Sequence, residues 1–191
     1  MIKQEIQDSI NVKEKILNDK KILNQIEELA NICLKSLKNG GKIILAGNGG
    51  SFADAQHISA EFTSRYMIDR DSLASICLGT NNSAISAIGN DYGYDKIFSR
   101  ELSSIGNAED VFIAISTSGN SENLMEAIKI ANKKKIKTFV LTGGSGGKMK
   151  NLCQCINIPS IVTGRIQESH IMIGHIICGI VEKEYFNKWK Q

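Results

Sequence analysis

A chain of 191 residues with 23 Lys and Arg against 20 Asp and Glu carries a formal charge of only +3, and 6% of it is aromatic. That balance excludes the concentrated basic surface and stacking side chains on which nucleic-acid binding draws. Five cysteines are too few for a disulfide framework at this length and sit mainly in apolar runs, and Cys153-x-Cys155 lacks the second pair that a zinc ribbon requires. Reduced thiols in the cytoplasm are therefore expected. Residues 1–20 hold charges throughout, without the apolar stretch of a secretion signal. The longest apolar stretch, 171–181, is interrupted by His175 and too short to span a bilayer, so neither a membrane nor a nucleic-acid partner is expected.

In chain order, residues from about 5 to 38 read as helix, with Ile6, Ile10, Ile16, Leu17, Ile22, Leu23, Ile26, Leu29, Ile32, Cys33 and Leu37 recurring at three- and four-residue steps. That length exceeds an ordinary helix. Its apolar stripe must cover either the chain's own sheet or another copy, and pattern alone leaves both open. Apolar runs at 42–46, 72–78, 110–115 and 137–142 then alternate with helical stretches, which implies a parallel α/β sheet. Residues 155–159 read as an edge strand closed by Pro159, the only proline. Residues from Thr163 to about Phe186 read as a mostly buried helix. There is room for one domain with a full core over 1–191, and no linker, repeat or low-complexity tract divides it.

Two strand ends carry the chemistry. After the run 42–46, Gly47-Asn48-Gly49-Gly50-Ser51 turns into a helix with little side-chain bulk, leaving the first helical N–H groups open to an anion, phosphate above all. Ser51 is expected as N-cap or phosphate ligand. In that helix His57 and Glu61 stand four apart on one face. An imidazole beside a carboxylate supplies an acid/base pair, two ligands for a divalent metal, or merely a surface pair worth a few tenths of a kcal/mol.

After 110–115, Ser116-Thr117-Ser118-Gly119-Asn120-Ser121 leads into a second helix, and two such units predict one pocket at the carboxyl ends of parallel strands. Neither turn fits a P-loop or the dinucleotide Gly-x-Gly-x-x-Gly, so no nucleotide cofactor is expected. In the last helix, Gln167 and His175 fall about 80° apart around the axis, whereas His170 falls about 140° from His175. Only four of the basic residues are arginine, among them Arg65, Arg100 and Arg165. Where lysine is the default, arginine can mark a need for its planar fork.

Gly-Asn-Gly-Gly-Ser at 47–51, Ser-Thr-Ser-Gly-Asn-Ser at 116–121 and Arg-Ile-Gln-Glu at 165–168, in this order, resemble the sugar isomerase (SIS) family and, within it, the phosphoheptose isomerases. Residues 89–94 and Phe98-Ser99-Arg100 extend the likeness over nearly the whole chain. The resemblance implies a flavodoxin-like parallel sheet flanked by helices. It implies conversion of sedoheptulose 7-phosphate into D-glycero-D-manno-heptose 7-phosphate through an enediol, in a homotetramer with active sites near subunit contacts. Glu61 and His175 become the expected proton carriers.

Phosphate is expected among Asn48, Gly49, Gly50, Ser51, Ser116, Thr117, Ser118 and Ser121, and the sugar against Glu61, Arg65, Asn90, Asp91 and Gln167. Zinc, one per subunit, is expected through His57, Glu61, Gln167 and His175, although Gln is a poor zinc ligand by preference. Gly164 stands where some relatives carry aspartate or alanine. A relative of another class, the DnaA initiator-associating protein, binds a replication protein and lacks the Glu and the last His; this chain has both.

Overall fold

The computed structural model describes residues 1–187. Five parallel strands form one sheet: β1 (Ile43–Gly47), β2 (Ser75–Cys77), β3 (Val111–Ser116), β4 (Lys137–Gly143) and β5 (Gln154–Ile158), in the spatial order β2-β1-β3-β4-β5. This is the flavodoxin-like order, in which ligands bind beyond the carboxyl ends of β1 and β3, where the winding reverses. β1 and β3 are buried along their whole length, as near-continuous apolar runs at the centre of a parallel sheet should be. Their register pairs Gly47 with Ile115, so the two glycine- and serine-bearing turns leave neighbouring strands at one level.

Side chains alternate between two cores. Ile43 and Leu45 of β1 face one, shared with Phe139 of β4; Ile44 and Ala46 face the other, with Phe112 and Val140. The first core is covered by α2 (Lys20–Lys38), α3 (Gly50–Thr63) and α7 (Thr163–Phe186). The second lies under α5 (Ile97–Ile105) and α6 (Glu122–Lys133). Each Leu, Ile or Phe fully removed from water there stabilises the fold by about 1.5–3 kcal/mol. α4 (Asn82–Tyr92) lies at the surface, without a fully buried residue.

The amino-terminal stretch is two helices. α1 (Ile2–Leu17) ends before Asp19, whose carboxylate accepts hydrogen bonds from the Lys21 and Ile22 N–H groups and starts α2 afresh. The apolar stripe divides accordingly. Ile22, Ile26, Leu29, Cys33 and Leu37 are buried on the chain's own core, whereas Ile2, Ile6, Ile10 and Leu17 of α1 are exposed. No helix among the described residues is long and apolar enough to cross a membrane.

Candidate active site

At the end of β1, Gly49 is the N-cap of α3, and no side chain caps the helix. Ser51 is therefore not the N-cap: it is the second residue of α3 and is buried. A glycine cap brings no hydroxyl or carboxylate of its own, so the first N–H groups stay uncapped. α6 repeats the device by another route. Its N-cap is Ser121, but the Ser121 hydroxyl pairs with Ser116 Oγ at 3.1 Å and caps no helix N–H; of the first helical N–H groups, that of Leu124 donates to Asn123 Oδ1 at 2.9 Å. Two helix starts without a cap from the N-cap side chain, reached from adjacent strands, are the arrangement that favours an anion.

The turns are locked together by an amide pair between the expected Asn48 and Asn123, which was not expected. Asn48 Nδ2 donates to Asn123 Oδ1 at 3.0 Å, and Asn123 Nδ2 donates back to Asn48 Oδ1 at 2.9 Å. Tyr94 adds its hydroxyl to the same Oδ1 at 3.1 Å. Asn123 is buried on the face of α6 that also buries Ala127, and a polar residue on an apolar helix face was the available signal. A third glycine-rich segment, 144–148 after β4, supports the second turn. Met149 N–H donates to Gly119 C=O at 3.0 Å, and Lys148 N–H to Asn120 Oδ1 at 2.9 Å. The backbones touch: a Cβ at Gly119 would come within 2.2 Å of Gly146 O. Thr117 is half-buried in this turn and Ser118 is exposed.

α3 and α7 run side by side in the same direction. Gly50 meets Gln167 at one end, and Gly174 meets Ile58 two turns on. The pairing brings His57, Glu61 and His175 together: His57 Nε2 lies 3.1 Å from Glu61 Oε1 and 3.0 Å from His175 Nε2. All three atoms fall within 4.8 Å of one another. A ring nitrogen bears at most one proton, so these facing lone pairs invite a shared proton or a cation. Gln167 stands eight residues before His175, about 12 Å along the axis, and its amide lies against the glycine turn.

Other expected residues lie further out. Arg65 is exposed in the segment after α3. Asn90 and Asp91 are exposed in the last turn of α4, where Asn90 Nδ2 donates to Asp91 Oδ1 at 2.8 Å. Arg100 lies over the Tyr92 ring, 3.7 Å from its centroid, and Arg165 pairs with Glu168 at 3.0 Å. The arginine whose fork is fully used is Arg70, with its side chain 1% exposed against Glu182 at 2.9 Å.

Asp54, one turn before His57, was also missed. Burial pushes its carboxyl up, while His57 and His175 pull it back. The i, i+3 spacing to His57 was the sequence signal. His170 faces away from this centre, as the helical arithmetic requires. It is 1% exposed, neither ring nitrogen has a hydrogen-bond partner, and burial drives its pKa down to about 4, offset in part by the Thr142 backbone.

The model of the SIS domain matches residues 7–143. The chain is 55% identical over 186 residues to a phosphoheptose isomerase of Aneurinibacillus thermoaerophilus, covering 97% of this chain and 94% of that protein. Among solved structures, a phosphoheptose isomerase from Francisella tularensis superposes with a TM-score of 0.90 at 33% identity, over 95% of this chain and 96% of the other. The phosphoheptose isomerase of Neisseria gonorrhoeae gives 0.88 at 40% identity, over 95% and 97%. With the two turns, the His–Glu–His centre and these likenesses along its length, the chain belongs to the SIS domain family, in its sugar-phosphate isomerase branch.

Proposed function

We propose that the protein converts sedoheptulose 7-phosphate into D-glycero-D-manno-heptose 7-phosphate, supplying the precursor of nucleotide-activated heptoses. The observation that carries this reading is the convergence of His57 and Glu61 of α3 with His175 of α7 within 4.8 Å, beside the helix whose start forms half of the anion site. A phosphate anchor and a proton-transfer centre at one end of a sheet are what a sugar-phosphate aldose–ketose exchange requires.

The phosphate is held by the N–H groups of Gly49 and Gly50, the Asn48 turn and the hydroxyls of Ser51, Ser116, Thr117, Ser118 and Ser121. Arg65, Asn90, Asp91 and Gln167 meet the sugar. Glu61 takes the proton from C1 of the ketose as the C1–C2 double bond of the enediol forms, and the same carboxyl returns a proton to C2. His175 moves the matching protons at the two oxygens. Two imidazole nitrogens and a carboxylate oxygen this close form a donor set that would suit zinc; the Gln167 amide lies against Gly50 and would have to swing towards them to add a fourth, weaker ligand. When bound, zinc polarises the carbonyl and steadies the enediolate.

The working form in this account is a cytoplasmic homotetramer with active sites near subunit contacts. Support comes from an apolar groove of about 740 Å³ beside His175, bordered by Met172, Ile176 and Ile180, and from the exposed isoleucines of α1. Substrate assignment is tested with ketose phosphates of five, six and seven carbons. The seven-carbon ketose is expected to show the highest kcat/KM; a preference for a shorter sugar would reassign the substrate while keeping the reaction class.

A further inference from the structure

The segment between α3 and β2 has no regular structure around residues 64–71, yet its backbone is held at many points by two buried side chains. Glu182 lies seven residues beyond His175 on α7, about 20° round the axis and so on the same face. It is 3% exposed. Its Oε1 accepts the Tyr66 N–H at 3.0 Å, and Oε2 accepts those of Met67 at 2.7 Å and Ile68 at 3.2 Å. Arg70 Nε donates to Oε1 at 2.9 Å.

The other guanidinium nitrogens donate to backbone carbonyls. Nη1 reaches Phe62 O at 2.7 Å, Ser64 O at 3.2 Å and Asp71 O at 3.0 Å, and Nη2 reaches Glu61 O at 2.7 Å. A buried charge left without partners is strongly destabilising, so both charges enforce the one loop conformation that satisfies them. Burial alone would push the Glu182 carboxyl up; the three N–H groups and Arg70 hold it below its ordinary range.

The clamp delivers Tyr66. Its ring lies nearly parallel to that of His175, 11° between planes and 5.5 Å between centroids. His57 meets the same ring edge-on, at 68° and 5.0 Å. The terminal torsion of a histidine is broad and roughly two-fold, so the helix alone does not settle where Nε2 points. Stacked on Tyr66, the imidazole keeps the plane that aims Nε2 at His57, 3.0 Å away. The same guanidinium grips the carbonyl of Glu61, so one ion pair sets both the end of α3 and the wall behind His175.

We infer that Tyr66 is a positioning residue for His175 and that the Arg70–Glu182 pair holds it in place; the catalytic part of this rests on the role proposed for His175. Tyr66→Phe keeps the stacking ring and Tyr66→Leu removes it. In the metal-stripped full chain at fixed pH, the Tyr66 ring current displaces the His175 ring-proton resonances in NMR spectra. Phe is expected to retain that displacement and Leu to abolish it, while Glu182→Gln shrinks it with Tyr66 unchanged.

In turnover of sedoheptulose 7-phosphate, the Leu variant is expected to lose ~10-fold to 100-fold in kcat with KM within about twofold, as a misplaced group should, and Phe to stay within about twofold of the parent. A folded Leu variant with unchanged kcat, or an equal loss in Phe and Leu, overturns the inference. A parent protein that shows the displaced resonances without turning over the sugar refutes the proposed reaction instead and leaves the positioning intact.

Discussion

The amide of Gln167 fills the space that a side chain at Gly50 would need: a Cβ there would come within 2.7 Å of Nε2. The start of α3 and the Gln167 side chain of α7 therefore meet with no room for a methyl group between them. Gly50→Ala displaces Gln167 and little else, because a glutamine side chain swings away easily and alanine is the better helix former by up to about 1 kcal/mol. Thermal unfolding should change by no more than that, while KM for the sugar phosphate rises ~10-fold. An unchanged KM would remove Gln167 from substrate binding.

Glu61→Gln preserves shape and removes the base. Turnover should fall by a factor of ~10³ or more, within the range expected for a lost general base, with unfolding temperature within a few degrees of the parent. Activity within tenfold of the parent would remove Glu61 from proton transfer.

Zinc binding is read best from the other end of the pair. His57 Nε2 is the atom nearest both partners, so His57→Ala should weaken zinc binding to metal-stripped protein by more than ~100-fold in calorimetry. Equal affinity in both proteins would place the metal elsewhere.

His170 gives the fold an acid-sensitive point. Its pKa is about 4 in the folded state against an ordinary 6.5, so between these values the unfolded chain binds the extra proton. Stability is full above pH 6.5 and declines as pH falls towards 4, by roughly 3 kcal/mol in all. His170→Leu removes the titrating group and should flatten that decline in urea titrations run from pH 7 to 4. A parallel decline in the variant would assign the sensitivity to carboxylates such as Glu182, whose stabilisation is also lost towards acid.

Much of this architecture was legible because it depends on short-range pattern. The central strands are apolar runs, the two turns are glycine and serine, and the i, i+4 placement of His57 and Glu61 follows from helix geometry. The 100° arithmetic separated His175 from His170 before any packing was known. What escaped was set by contacts distant in sequence. Asn123 joins Asn48 across 75 residues, and Glu182 reaches Tyr66 across 116. Arg70, the one arginine not singled out from the sequence, owes its role to contacts that only folding makes. The break at Asp19 escaped for the opposite reason: one side-chain cap outweighed a periodicity that runs straight through it.

The most direct test of the central claim is incubation of the purified protein with sedoheptulose 7-phosphate, metal-stripped and zinc-supplied in parallel, with the sugar followed by NMR. The account predicts that the aldose D-glycero-D-manno-heptose 7-phosphate accumulates, faster with zinc. If the sugar phosphate binds and no aldose forms in either sample, the isomerase reading is contradicted and the protein is a sugar-phosphate-binding member of its family.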